Sequence, residues 1–150
     1  GMAYLKRGML NEAQQEFEAT IRLYPNDAKS YYNLGVVYGQ KGNSKEAMEN
    51  FKRSVTINPD LIRAHYNLAT LYAQQGDMDL AIRHFVKVTE LDAEVVEAHY
   101  NLGLAYAMQG KLNRAISEWE KVLQLDPNHR SAGNNIEKAK EMIKSSEGSN

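Results

Sequence analysis

Four asparagines recur at intervals of 34 residues, and their side chains fit a defined chemistry better than any other set in the sequence. Each amide offers two N–H donors and a carbonyl acceptor, so it can pair with both the C=O and the N–H of an extended peptide. Each such hydrogen bond contributes about 1 kcal/mol net. The four asparagines should therefore recognise the backbone of a peptide and accept many different side chains. The asparagines are Asn33, Asn67, Asn101 and Asn135.

A tyrosine precedes three of these asparagines, and other residues recur beside them with the same period. Tyrosine contributes apolar area and a hydroxyl, a composition typical of adaptable binding surfaces. Lys29 and Arg63 favour an acidic segment at one end of such a surface. We expect a peptide to bind here with about micromolar affinity, on the order of −8 kcal/mol. Besides the asparagines already named, the candidate binding residues are Lys29, Tyr32, Val36, Gln40, Arg63, Tyr66, Thr70, Gln74, Glu97, Tyr100, Leu104, Met108 and Asn134.

The elements that must position these residues follow from the same period. In the copy at 28–61, apolar residues from Tyr31 to Tyr38 have the i, i+3, i+4, i+7 spacing of one α-helix stripe. Gly42 ends this helix, because glycine adopts the left-handed conformation at little cost. A second amphipathic stripe follows and ends at Pro59, since the residue before a proline is biased away from helical geometry. Each copy is therefore predicted to be a helical hairpin, with the candidate residues on its first helix, almost opposite the core stripe.

The whole chain is predicted to be an array of such hairpins. A single hairpin cannot bury its apolar stripe alone, so neighbours must stack, and a last helix without a partner would cap the array. The predicted helices cover 2–7, 11–23, 28–41, a segment between Asn43 and Pro59, 62–75, 79–91, 96–109, 113–125 and 130–144. The predicted domain is one array over 1–144, with a partial repeat at 1–27, full repeats at 28–61, 62–95 and 96–129, a capping helix at 130–144 and a disordered tail at 145–150.

The residues that recur with the 34-residue period resemble the consensus of the tetratricopeptide repeat. In the copy at 28–61 they are Leu34, Gly35, Tyr38, Ala47, Phe51 and Pro59. The resemblance covers nearly the whole chain and implies an all-α fold, a right-handed α-solenoid of helical hairpins whose first helices line a concave groove. Since it describes an architecture and no chemistry, it implies a non-catalytic scaffold that binds an extended peptide or a partner's helix in that groove.

Two narrower family patterns bear on the ligand. The asparagine ladder resembles the one in the repeat domain of O-linked N-acetylglucosamine transferase, where inner asparagines hold the backbone of substrate peptides. That resemblance rests on the four asparagines alone and implies no sugar transfer. The clamp that holds the acidic tails of Hsp70 and Hsp90 chaperones does not match, because Tyr32 and Val36 stand where it requires lysine and asparagine.

Several alternatives stay open at this stage. The asparagines and tyrosines could serve contacts between adjacent helices, because an amide can bridge to a neighbouring backbone carbonyl. The array is also compatible with the substrate-recruiting part of a larger enzyme, such as a transferase or a kinase. A third hypothesis is an oligomerisation module, in which self-association fills the groove with the terminus of a neighbouring chain.

Composition and motifs argue against several classes of partner and activity. The formal net charge is −1 and acidic and basic residues are interleaved, so the sequence predicts no basic patch that could bind the phosphate backbone of nucleic acid. No stretch is apolar enough to insert into a membrane, and the chain holds no cysteine for disulfides or thiol catalysis. His65 and His99 replace a core tyrosine one repeat apart, so we expect no metal site, no cofactor and no catalysis by this chain alone.

The first residues of the sequence bear on the cellular compartment in which the protein is expected to lie. Gly1 and Tyr4 fall in register with Gly35 and Tyr38, as though the chain were cut from a larger protein partway through a repeat. Gly1 could equally be a scar of tag removal before a natural initiator at Met2. Because no signal peptide is apparent, we expect a soluble, cytoplasmic protein, an expectation that an excised fragment would weaken.

Overall fold

The computed structural model describes residues 1–147, and every regular element in this range is an α-helix. Apart from the end of the last helix, the bounds agree with the predicted bounds to within a residue. The all-α prediction is therefore confirmed. The helices are α1 (Met2–Lys6), α2 (Leu10–Leu23), α3 (Ala28–Gln40), α4 (Ser44–Ile57), α5 (Ile62–Gln74), α6 (Met78–Leu91), α7 (Val96–Met108), α8 (Leu112–Leu125) and α9 (Arg130–Glu147).

Glycine ends the first helix of each hairpin, as the sequence predicts. Gly42 and Gly76 have φ angles of 80° and 84°, in the left-handed region that glycine enters without a steric penalty. The next backbone N–H then returns to a carbonyl five residues earlier, as in the 2.9 Å bond from Asn43 N to Tyr38 O. This closure satisfies a carbonyl that the helix end would leave without a partner.

An extended residue follows the second helix in the three hairpins that end with α4, α6 and α8. Asn58 has φ −128° and ψ 96°, which confirms the bias expected before Pro59. Asp92 adopts a similar conformation although Ala93 replaces the proline in the following position. Its carboxylate accepts a hydrogen bond from Glu94 N at 2.9 Å, so a side chain supports this turn without the proline.

The N-terminal unit, Gly1–Leu71, packs successive helices around small alanines and large aromatic rings. Helix α1 contacts α2, α2 contacts α3, and α3 contacts α4. Leu34 and Val37 of α3 are buried against Ala13 and Phe17 of α2. Gly35 faces Phe51 so closely that an added Cβ would lie 2.7 Å from the ring, so the close approach of α3 and α4 requires glycine there.

The C-terminal unit, which begins at Tyr72, buries a similar core. Trp119 and Val122 of α8 pack against Ile136 and Ala139 of α9. The Trp119 indole N–H donates to the backbone carbonyl of Tyr100 at 3.2 Å, so the largest core side chain also satisfies its polar group. Helix α9 therefore covers the apolar face of α8, the role predicted for a capping helix.

The predicted disordered tail at 145–150 is wrong for its first three residues, because α9 continues through Glu147. Ser145 Oγ donates to Glu141 O at 2.9 Å, and Ser146 Oγ donates to Ile143 O at 2.6 Å. Hydroxyl groups bonded to carbonyls of the preceding turn are compatible with helix, so the small polar residues did not end it. The rest of the predicted tail, 148–150, lies outside the described residues.

Candidate binding surface

The candidate residues of the N-terminal unit lie on α3 and on the part of α5 that belongs to this unit. Lys29, Gln40 and Arg63 are exposed, and the other members are half-buried. Charged and long polar groups thus flank a partly sheltered row of amide, hydroxyl and apolar side chains. We call the set the N-terminal strip. Its members are Lys29, Tyr32, Asn33, Val36, Gln40, Arg63, Tyr66, Asn67 and Thr70.

The two asparagines of the N-terminal strip keep their amides available. Within residues 1–147, the side chains of Asn33 and Asn67 have no hydrogen-bond partner in the protein, although both are half-buried. Thr70 differs from them, since its hydroxyl donates to Tyr66 O at 3.0 Å inside the helix. The strip therefore presents two amides with their donors and acceptors uncommitted.

A cleft of about 260 Å³ opens within the N-terminal unit, beside Asn67. Ala47 and Phe51, both buried, contribute to its lining from α4. The remaining lining comes from α3 and α5, so the cleft lies where a residue of a ligand on the strip could enter it. The lining residues from these two helices are Val36, Gly39, Gln40, Asn67, Thr70 and Leu71.

The candidate residues of the C-terminal unit lie on the end of α5, on α7 and on α9. Met108 is 71% exposed, and Gln74, Glu97 and Asn134 are also exposed. The remaining members are half-buried. We call the set the C-terminal strip. Its members are Gln74, Glu97, Tyr100, Asn101, Leu104, Met108, Asn134 and Asn135.

The C-terminal strip is tied to its own unit more than the sequence suggests. Asn135 Nδ2 donates to Tyr100 Oη at 3.4 Å, and the Tyr100 ring lies 4.8 Å from the ring of His129. Tyr100 and Leu104 also pack partly against the core of Trp119 and its neighbours. In the other unit the Tyr32 ring lies 5.8 Å from Phe51. The tyrosines are therefore not on a face turned wholly away from the core, because the aromatic residue of the second helix reaches under them.

The register of the repeat brings further residues to these strips that the sequence analysis did not include. Met2 and Lys6 of α1 stand 34 residues before Val36 and Gln40, and both are exposed. Lys138 and Met142 of α9 stand 34 residues after Leu104 and Met108, and both are exposed. Extending the register into the incomplete first hairpin and the last helix would have found all four.

A shifted pKa occurs away from the strips, where α2 meets α3. Burial raises the pKa of Tyr38 above its ordinary value of 10.0, and the negative charge of Glu18 raises it further. The Tyr38 hydroxyl lies 3.4 Å from Glu18 Oε1, and Gln14 Nε2 donates to the same hydroxyl at 3.3 Å. This cluster links the two helices and leaves Tyr38 neutral at physiological pH.

The two histidines of the core stripe have structural partners. His65 Nε2 lies 2.9 Å from Pro59 O, and His99 Nε2 lies 3.1 Å from Ala93 O, the equivalent carbonyl one repeat later. His99 Nδ1 also contacts Glu118 Oε2 at 2.7 Å. Among the residues that the structure describes, no group of three or more histidine and carboxylate side chains could hold a metal ion. In the same range, no helix combines the length and apolar character needed to cross a membrane.

Repeated helical hairpins with a glycine turn and alanine–aromatic cores define a class of interaction repeats, and the comparisons identify the family. The tetratricopeptide repeat profile matches residues 28–61 and 63–130, and a further TPR repeat profile matches residues 1–42. The chain belongs to the tetratricopeptide repeat family.

Solved structures agree with this assignment. The chain is 25% identical to YrrB, described as a TPR protein with an unusual peptide-binding site, with a TM-score of 0.87 over 95% of this chain and 73% of that chain. A structure of MamA protein is 25% identical, with a TM-score of 0.87 over 94% of this chain and 77% of that chain. Another MamA structure is 27% identical, with a TM-score of 0.81 over 99% of this chain and 85% of that chain. No curated protein sequence matches significantly.

These matches confirm the predicted fold class, an α-solenoid of tetratricopeptide hairpins. They also support a protein–protein interaction scaffold as the general role of the chain, because tetratricopeptide repeat proteins bind proteins or peptides. Members of the family are typically non-catalytic. The ligand and the residues that hold it depend on the strips themselves.

Proposed function

We propose that this chain is a non-catalytic scaffold whose N-terminal strip binds an extended peptide segment of a partner protein through the peptide backbone. The observation that carries the proposal is the state of Asn33 and Asn67. Both amides are half-buried, and neither has a hydrogen-bond partner within the described chain. An amide serving contacts between helices would already be bonded, as Asn135 is to Tyr100.

An extended segment suits these amides better than a helix does. The backbone N–H and C=O groups inside an α-helix are bonded to each other, so a bound helix would leave the asparagine amides without backbone partners. An extended segment presents both groups and can satisfy an amide donor and an amide acceptor together. YrrB, which is 25% identical to this chain, has an unusual peptide-binding site, and this similarity supports the same class of ligand.

The test begins with a peptide selected on the native protein from a library of random linear peptides. Its affinity is then measured for the native chain and for the double variant Asn33→Ala, Asn67→Ala. Loss of at least one hydrogen bond of about 1 kcal/mol from each asparagine should weaken binding by a factor of about thirty or more. Methylation of the peptide's backbone nitrogens should weaken binding to the native chain as well.

A matched control replaces two asparagines outside the strips. Asn43 stands at the start of α4 without a side-chain capping bond, and Asn113 is exposed on α8. The variant Asn43→Ala, Asn113→Ala should bind the selected peptide as the native chain does. If both double variants keep native affinity while circular dichroism shows native helicity, the proposed role of the asparagines is wrong.

A further inference from the structure

The cleft of the N-terminal strip is lined by a glycine that no turn requires. Gly39 lies inside α3, one residue before the end of the helix, and it lines the cleft. A Cβ added there would have no atom within 4 Å other than those of its own helix and neighbours, so no close packing demands glycine. The equivalent residues of the next two repeats are Ala73 and Ala107. A helix-destabilising residue without a packing reason is better explained by the space it leaves.

The cleft has the size and lining to receive a side chain. Val36, Phe51 and Leu71 give it apolar walls, and Gln40 and Asn67 contribute amides that can contact the backbone of whatever enters. Its volume is about 260 Å³, whereas an apolar cavity of about 150 Å³ in another protein is large enough for benzene. The volume of the cleft is therefore sufficient for a branched aliphatic side chain.

The charges of the N-terminal strip indicate which residues should accompany that side chain in the ligand. Lys29 and Arg63 of the N-terminal strip are exposed, as is Lys6, which occupies the equivalent face of α1. These cations form no ion pair within residues 1–147, and no member of the N-terminal strip is acidic. A ligand segment that carries carboxylates as well as its apolar residue would complement this surface, and a basic ligand would be repelled.

We propose that Gly39 keeps open a specificity pocket for one aliphatic side chain, flanked by acidic residues, in a partner's extended segment. This inference rests on the peptide binding proposed above and adds selectivity for one side chain of the peptide. Asn33 and Asn67 hold the peptide backbone, the pocket takes the aliphatic side chain, and Lys29 and Arg63 attract its acidic neighbours.

The experiment uses three synthetic peptides labelled with fluorescein and read by fluorescence anisotropy. The first contains only aspartate and glutamate around a central leucine, the second has alanine at the centre, and the third has lysines in place of the acids. The native chain should bind the leucine peptide about tenfold more tightly than the alanine peptide, as expected for partial burial of the extra carbons. The lysine peptide should show no saturable binding.

Variants at Gly39 then assign the selectivity to the pocket. Gly39→Leu fills the cleft, so it should lower the affinity for the leucine peptide about tenfold and leave the affinity for the alanine peptide unchanged. Gly39→Ala introduces the residue found in the next two repeats, and it should reduce the preference for the leucine peptide by a smaller factor than Gly39→Leu does. Gly133→Leu is the matched control, because Gly133 is also a helical glycine with no atom near an added Cβ, and it lies in the other unit. It should leave both affinities unchanged.

The outcomes separate this inference from the function on which it rests. Equal binding of the leucine and alanine peptides, or a Gly39→Leu variant that keeps the native preference, overturns the pocket. If such a result accompanies a loss of binding in the Asn33→Ala, Asn67→Ala variant, backbone recognition stands without the pocket. Failure of the acidic peptides to bind at all, while peptides from the random library do bind, overturns the proposed acidic partner and leaves the proposed function intact.

Discussion

Replacing Gly103 by alanine tests the packing that fixes the C-terminal unit. A Cβ at this position would lie 2.6 Å from Cδ1 and 2.8 Å from Cε2 of Trp119, well inside van der Waals contact. Trp119 is 3% exposed and donates its indole N–H to Tyr100 O, so it cannot move aside without breaking that bond. The substitution should therefore displace the indole and loosen the contact between α7 and α8.

The size of the effect follows from three contributions. Forcing an additional methyl group into a packed core costs about 1–3 kcal/mol. Loss of the Trp119 hydrogen bond costs about 1 kcal/mol, and the higher helix propensity of alanine returns about 1 kcal/mol. We expect the free energy of unfolding to fall by about 1–3 kcal/mol. Gly133→Ala is the control, since an added Cβ there meets nothing within 4 Å, and it should stabilise the chain by about 0.5–1 kcal/mol.

The assay is urea unfolding followed by both circular dichroism and fluorescence. The chain contains a single tryptophan, so the fluorescence change reports the surroundings of Trp119 directly. Gly103→Ala should lower the urea midpoint and alter the native emission, whereas Gly133→Ala should raise the midpoint and leave the emission unchanged. Stabilisation by both alanines would refute the claim that close packing requires glycine at this position.

Two further predictions concern the N-terminal unit. Because the pKa of Tyr38 is raised, folding disfavours its ionised form, so stability is unaffected below the ordinary value of 10.0 and falls as the pH rises through the shifted pKa. Between about pH 9 and about pH 11 the native chain should lose more stability than Tyr38→Phe, and equal losses would contradict the assignment. Asp27 caps α3 by accepting bonds from Lys29 N at 3.2 Å and Ser30 Oγ at 2.6 Å, so Asp27→Ala should cost about 1 kcal/mol of unfolding free energy. An unchanged urea midpoint in Asp27→Ala would show that the cap contributes little.

The sequence predicts the helices closely because each boundary has a local cause. Gly42 and its equivalents enter the left-handed region, and Pro59 restricts the residue before it, so turns recur with the period of the sequence. The end of α9 could not be found in this way. Two of its last three residues are serines, which favour loops in general but here donate hydrogen bonds to carbonyls of the preceding turn.

The candidate binding surface could be predicted from the sequence less completely than the helices. Helical periodicity places Tyr32 and Tyr100 on one face, but the positions of Phe51 and His129 beneath them depend on packing between helices. The sequence treats the four asparagines as equivalent, whereas the structure bonds Asn135 to Tyr100 and leaves Asn33 and Asn67 without partners in the described chain. The cleft beside Gly39 requires three helices to be in place before it exists.

Backbone recognition by Asn33 and Asn67 is tested most directly by following their side-chain amides by NMR while a peptide binds. Side-chain amide signals of Asn33 and Asn67, assigned by loss of each signal in its alanine variant, would be followed by NMR as the selected peptide is added. Backbone recognition predicts saturable shifts of both signals, with downfield proton changes that indicate new hydrogen bonds, and little change at Asn113 on α8. Saturable binding with the Asn33 and Asn67 signals unmoved would contradict it.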